Sequence, residues 1–175
     1  MLVVGASGGV GSHAVRVAKA LGATVSAVAS TTKLDFVRDL GADHVADYSS
    51  GALEELVTGP FDLILDIGGN RPVRRLRRLL TSRGALVIVG GEGGGRLLGG
   101  VQRQLGAALL SPLVRHRLAF FFAKVNSDDV GVLLDLVSAG RLRPPVERTF
   151  ELADSAKALS HLQDGHVRGK VVVTP

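Results

Sequence analysis

The residues best placed to do chemistry come at the start of the chain. Gly5-Ala6-Ser7-Gly8-Gly9-Val10-Gly11 follows a short apolar run and leads into an amphipathic stretch. Glycine has no Cβ, so backbone at such a turn can approach a ligand closely. A helix opening there directs its unpaired amides and positive end at an anion. The pattern suits the pyrophosphate of a dinucleotide. It lacks the Gly-Lys-Ser/Thr ending of a phosphate-hydrolysing loop. Glycines alone are a weak signal, and in a structural role they would serve strand–helix packing only. Their place after a strand and before a helix, in a repeating β/α pattern, makes the signal stronger.

The second strand end discriminates between cofactors. An NAD site places a carboxylate there to bind the ribose diol. This chain reads Val28-Ala29-Ser30-Thr31-Thr32-Lys33. Hydroxyls and an ammonium suit an added phosphate, so Ser30 and Lys33 are assigned to the 2′-phosphate and NADPH is the expected cofactor. The plainer alternative is helix capping beside a solvated lysine. Asp35 lies further into the next helix and does not restore the NAD pattern. Tyr48 is a candidate to cover or bond the cofactor phosphate, the alternative being an ordinary half-buried tyrosine. Asp66-Ile67-Gly68-Gly69 and Gly90-Gly91 end later strands and can border the nicotinamide ribose. Asp66 reads as a turn acceptor, not as an acid catalyst.

No residue qualifies as catalytic. His13, His44, His116, His161 and His166 are scattered and there is no cysteine, so no metal site is expected and thiolate chemistry is excluded. No serine sits in a nucleophile-elbow pattern.

The elements that must hold these residues alternate in type. Strands are expected at 2–5, 24–29, 43–46, 61–66, 86–89 and 115–122. Helices are expected at 9–21, 32–40, 50–57, 71–80, 101–110 and 127–139. The first helix is expected to pack through Val10, Ala14, Val17, Ala18 and Leu21, and the 127–139 helix to be capped by Ser127 or Asp128. Strands without polar alternation, separated by helices, make an α/β fold with a doubly wound parallel sheet, and ligands bind at its carboxyl ends. Residues 1–143 form this unit. Residues 144–175 carry strands at 146–150 and 170–173 and a helix near 152–163, too little for a core of their own.

Hydrophobic residues at 46% and charged residues at 21% describe a globular chain. The formal charge of +5 is concentrated in Arg71, Arg74, Arg75, Arg77, Arg78 and Arg83. Within that group Arg71, Arg74, Arg75 and Arg78 follow helical steps, with Leu76, Leu79 and Leu80 on another face, and read as a solvated amphipathic helix. No aromatic residues interleave with them, which argues against a nucleic-acid partner. No apolar run approaches the roughly 20 residues that span a bilayer, so no membrane partner is expected. The missing cysteines weakly favour the cytoplasm.

Three motifs carry a family resemblance: the opening glycine turn, Leu40-Gly41-Ala42-Asp43-His44-Val45 followed by Asp47-Tyr48, and Gly165-His166-Val167-Arg168-Gly169-Lys170-Val171-Val172. In order and spacing the chain resembles the cofactor-binding portion of the medium-chain dehydrogenase/reductase superfamily, in its zinc-independent quinone oxidoreductase branch. The resemblance implies a Rossmann domain without the N-terminal catalytic domain, and a tail, 144–175, that would return to that domain. It implies that Ser7, Gly8, Gly9 and Val10 contact pyrophosphate, that Ser30, Lys33 and Tyr48 serve the adenosine-phosphate side, and that Ile67 and Gly90 border the nicotinamide ribose. Phe121 resembles an aromatic near the nicotinamide, and Lys170 a late cofactor-contacting lysine. The implied reaction is hydride transfer from NADPH to a quinone, enone or related carbonyl compound in the complete enzyme, with this chain inactive alone. The alternative is a non-enzymatic NADP(H)-binding regulatory or structural module. Relatives commonly dimerise through an edge strand, here 117–121, so a homodimer is expected.

Overall fold

In β1 (Leu2–Val4), consecutive side chains point to opposite faces of the sheet, and both faces are apolar. Leu2 and Val4 join one buried cluster and Val3 another. The structure, a computed structural model, describes residues 1–68, 71–89, 116–120 and 125–175. After β1 come α1 (Gly11–Ala20), β2 (Ser26–Ala29), a 3₁₀ turn at Thr31–Lys33, α2 (Leu34–Asp39), β3 (His44–Asp47), α3 (Leu53–Leu56), β4 (Phe61–Asp66), α4 (Val73–Arg78), β5 (Leu80–Ile88) and β6 (Arg117–Phe120). All six strands pair in parallel, in the order β3-β2-β1-β4-β5-β6. That order reverses direction at β1, which opens a crevice beyond the carboxyl ends of β1 and β4.

Two clusters cover the sheet. Leu53 of α3 and Leu76 of α4 pack with Ile64, Leu86 and Ile88 on one face. Val15 and Ala18 of α1 and Val37 of α2 pack with Val3, Ala27 and Ala29 on the other. This explains the missing polar alternation: the central strands are buried from both sides.

The described strands fall within a few residues of expectation, with three corrections. The stripe of α1 is Gly11, Ser12, Val15 and Ala18, while Val10 and Leu21 are 53% and 69% exposed. The small Gly11 draws that face onto the turn, and the bulkier residues rotate outward. Strand β5 begins at Leu80, not 86, because Leu80 already pairs with Phe61. The helix 127–139 is found as α5 (Ser127–Ser138), but its cap is Asn126, whose side chain accepts the Asp129 amide at 2.8 Å. An amide oxygen in extended backbone is a strong N-cap. The expected helix 101–110 lies outside the described residues.

The chain ends in β7 (Val146–Glu151), a 3₁₀ turn at Leu152–Asp154, α6 (Ser155–Gln163) and β8 (Lys170–Thr174). Strands β7 and β8 form a separate parallel pair.

Candidate functional site

The glycine turn is shaped by close packing. Past β1, the amides of Gly5 and Ala6 both donate to Val28 O, at 3.2 and 3.0 Å, which bends the chain over the end of β2. A Cβ on Gly11 would lie 2.1 Å from Gly5 O, so α1 approaches β1 more closely than any side chain allows. The Ser12 amide donates to Gly8 O at 2.9 Å and that of Ala14 to Val10 O at 3.0 Å. The amides of Gly8, Gly9 and Val10 donate to no acceptor among the described residues. Such donors at the positive end of a ten-residue helix suit an anion.

The tail crosses this turn. Gly169 N donates to Ser7 O at 3.0 Å, and Lys33 Nζ donates to Gly165 O and Val167 O, both at 3.0 Å. Arg168 Nη2 donates to Thr32 O at 3.2 Å. The Lys170 ammonium lies 3.1 Å from where a Cβ of Gly9 would stand. Gly8, Gly9, Lys33 and Lys170 thus border one depression of about 420 Å³. Burial holds the Lys33 pKa below the usual lysine range; the Glu147 carboxylate opposes that shift and Arg168 adds to it.

A second depression of about 400 Å³ lies beside the first turn, lined by Val4, Gly5, Val28, Tyr48, Gly68 and Arg71. Tyr48 is anchored by its amide to Ala29 O at 3.1 Å, while 53% of the residue is exposed. Ile67 and Gly68 donate to Val4 O at 3.0 and 3.1 Å, which seats the end of β4 beside the turn. Ser30 is half-buried and precedes the 3₁₀ turn. Asp47 accepts from Ser49 N at 2.9 Å, Ser49 Oγ at 2.6 Å and the Thr31 hydroxyl. The Ser49 hydroxyl, then the Thr31 hydroxyl and the Ser49 amide, hold its carboxyl below the usual range. Asp47 is therefore ionised, and its carboxylate is already bonded to Ser49 in its own loop and to Thr31 in the turn after β2.

A family model described as zinc-binding dehydrogenase matches residues 40–173. The mouse mitochondrial NAD(P)H oxidoreductase RTN4IP1 is 39% identical, over 98% of this chain and 47% of its own length. The chloroplastic quinone-oxidoreductase QR1 of Triphysaria versicolor is 27% identical, over 100% of this chain and 52% of its own. The chain belongs to the zinc-binding dehydrogenase family. It is a quinone oxidoreductase-like member of the medium-chain dehydrogenase/reductase superfamily. The quinone oxidoreductase structure from Coxiella burnetii superposes with a TM-score of 0.78 at 28% identity, over 99% of this chain and 52% of that one. The chain spans about half the length of the curated relatives it matches, and it corresponds to their cofactor-binding half.

Zinc does not fit the described residues of this family member. No group of three or more His, Asp or Glu side chains among them is arranged to hold a metal, and the chain has no cysteine. A dinucleotide fits better: turn amides with no acceptor among the described residues border one depression with two lysines, and a second depression lies beside the same turn at the strand ends. Of the residues singled out in the sequence, Ser7, Gly8, Gly9, Lys33 and Lys170 come together around the turn, and Tyr48 and Ile67 flank it. Val10 is exposed, and Gly90 and Phe121 lie outside the described residues. Sequence reasoning passed over two residues. Arg71 was read as part of a solvated helix, yet it lines the Tyr48 depression. Arg168 sat inside a recognised motif without a role.

Proposed function

We propose that this chain binds NADPH across the glycine turn and the ends of β2 and β3, as the cofactor half of an oxidoreductase. The observation that carries the reading is the turn itself, where Gly8 and Gly9, whose amides have no acceptor among the described residues, line the same depression as Lys170. The pyrophosphate would rest on those amides with Lys170 opposite. Adenosine would lie toward Tyr48, and the nicotinamide ribose toward Ile67. NADPH is preferred over NADH because the end of β2 offers Ser30 and Lys33, while Asp47 is already bonded to Thr31 and Ser49.

When bound, the cofactor supplies a hydride for a quinone, enone or related electrophilic carbonyl compound. The chain's own contribution is to bind and orient, since among the described residues no side chain at the crevice is placed for acid–base work on a substrate. Turnover belongs to the complete enzyme, and this chain alone is expected to be inactive. The relatives support the redox class: names such as NAD(P)H oxidoreductase and quinone-oxidoreductase describe those proteins. Strand β6 ends the described sheet, and pairing of this edge with a second copy is part of the proposal. So is a cytoplasmic setting, resting on the absence of cysteine alone; relatives named as mitochondrial and chloroplastic weigh against it. No described helix is long and apolar enough to cross a membrane.

Titration with NADPH and NADH, followed by nicotinamide fluorescence, tests the reading. NADPH should bind more tightly, and Lys170→Gln should weaken both cofactors by about tenfold, as expected for a lost charge-assisted contact. Failure of both cofactors to bind would remove the proposal. Quinone-dependent NADPH oxidation by the complete enzyme then separates a reductase from a non-enzymatic binding module.

A further inference from the structure

The end of β2 is lined by two cations that are differently committed. Lys33 turns toward the tail and gives two of its donors to Gly165 O and Val167 O. In that position it works as a tether: it fixes the segment 165–170 against the 3₁₀ turn that follows β2. Arg168 occupies the middle of that segment, between the carbonyl that Lys33 holds and the Gly169 amide bonded to Ser7 O. Its guanidinium reaches Thr32 O at 3.2 Å, so it lies on the turn between Ser30 and Lys33. Among the described residues that is the only bond its side chain makes, and the residue is exposed. The rest of its planar fork is open.

A phosphomonoester on the adenosine ribose would stand at this strand end. A guanidinium can give it paired, geometrically matched donors; an ammonium already bonded to two carbonyls has one left. The nearby Glu147 carboxylate engages through Oε2, which accepts from the Arg168 amide at 3.1 Å and faces His161 Nε2 at 3.2 Å. We infer that Arg168 is the residue that recognises the 2′-phosphate and so sets the preference for NADPH over NADH, with Lys33 acting as the positioning residue that holds it there. This rests on the NADPH reading above and reassigns the contact within it. The selectivity then comes from the tail, folded back onto the strand end more than 130 residues earlier in the chain.

The test compares NADPH and NADH dissociation constants for the wild-type chain and for Arg168→Gln, Arg168→Lys and Lys33→Gln. Arg168→Gln should weaken NADPH by about tenfold or more, the scale of a hydrogen bond to a charged group, and leave NADH within about twofold. It should also flatten the salt dependence of NADPH binding, which a purely structural role would not do. Arg168→Lys should restore part of the loss. Because the side chain is exposed and makes one bond, thermal melts should show the variants folded. An unchanged NADPH/NADH ratio in Arg168→Gln, with the ratio lost in Lys33→Gln, would overturn the assignment and leave the NADPH reading standing. Equal weakening of both cofactors by Arg168→Gln would also overturn it, because the residue would then only support the tail. A wild-type chain that binds neither cofactor, or binds both equally, would sink the NADPH reading and this inference with it.

Discussion

The six-stranded sheet and the two-stranded tail sheet are both parallel, yet they are held by different forces. Every residue of β1 and β2 is buried. In β7 only Phe150 is buried, and in β8 none is. The tail also exposes Leu152, Leu159 and Leu162, by 66%, 60% and 49%. Hydrogen bonds tie it to the sheet unit instead, through Gly169 to Ser7, Lys33 to Gly165 and Val167, and Arg168 to Thr32. Apolar burial contributes about 1.5–3 kcal/mol for a large side chain; an exposed hydrogen bond contributes about 1 kcal/mol net. The candidate site lies on the seam between the two regimes. Its amides come from the rigid side and its cations, Arg168 and Lys170, from the side that opens more easily.

Two glycine substitutions should separate the regions most sharply. In Gly11→Ala the new Cβ meets Gly5 O at 2.1 Å and Ala6 Cα at 2.8 Å. Neither backbone can yield without parting α1 from β1, so the loss should be about 3 kcal/mol or more in denaturant unfolding. Gly169→Ala is as crowded, with Pro145 O at 2.3 Å, and adds the strain of φ +82°. Its damage should stay local. Hydrogen exchange should show protection lost in β8 and the segment 165–170 while the six-stranded sheet keeps its stability. If Gly169→Ala destabilises the sheet as much as Gly11→Ala, the distinction between the regions fails.

A second pair measures burial directly. Ile64 is 0% exposed at the centre of β4, whereas Leu159 on α6 is 60% exposed. Ile64→Ala should cost about 2–5 kcal/mol through lost transfer energy and the cavity left behind. Leu159→Ala should fall within about 0.5 kcal/mol of wild type. A large loss at Leu159 would mean that its exposed face is covered in solution.

Much of this was legible in the sequence, because the two signals involved are local. Apolar runs such as Phe61–Asp66 and Val25–Ala29 declare strands buried on both faces, and glycine spacing declares a tight strand-to-helix turn. Strand order was not legible, since it depends on pairings between residues far apart. The stripe of α1 was misread because hydrophobicity favoured Val10 and Leu21, while the contact is decided by the missing Cβ of Gly11. Lys33 was recognised as a cation at the strand end, but its bond to the tail spans 132 and 134 residues and no local pattern encodes it. The same holds for Arg168. Arg71 was hidden among arginines that do face solvent, such as Arg74 and Arg78.

The smallest expected effect lies at the opposite end of the sheet, where a polar tether belongs to the rigid region. Asp43 accepts from Lys19 Nζ at 2.8 Å through both oxygens and from Val25 N at 2.7 Å, joining the end of α1 to the entry of β2. The Lys19 hydrogen bond, reinforced by the Val25 amide, lowers its pKa from the usual aspartate value. A carboxyl with a lowered folded pKa stabilises the fold fully above its unfolded value, about 3.9, and loses that contribution as pH falls through the folded value. Asp43→Asn should therefore lower Tm modestly at pH 7, because the pair is partly exposed and screened. The gap from wild type should begin to narrow as pH falls below about 4 and should close only below the folded value. Cofactor affinity should not change, since the tether stands at the amino end of β2 and the proposed cofactor site at its carboxyl end. A gap that persists undiminished in acid would show that Asp43 acts by shape, without its charge. The hydrogen bonds of the segment 165–170 would then remain the polar tethers whose loss reaches the site.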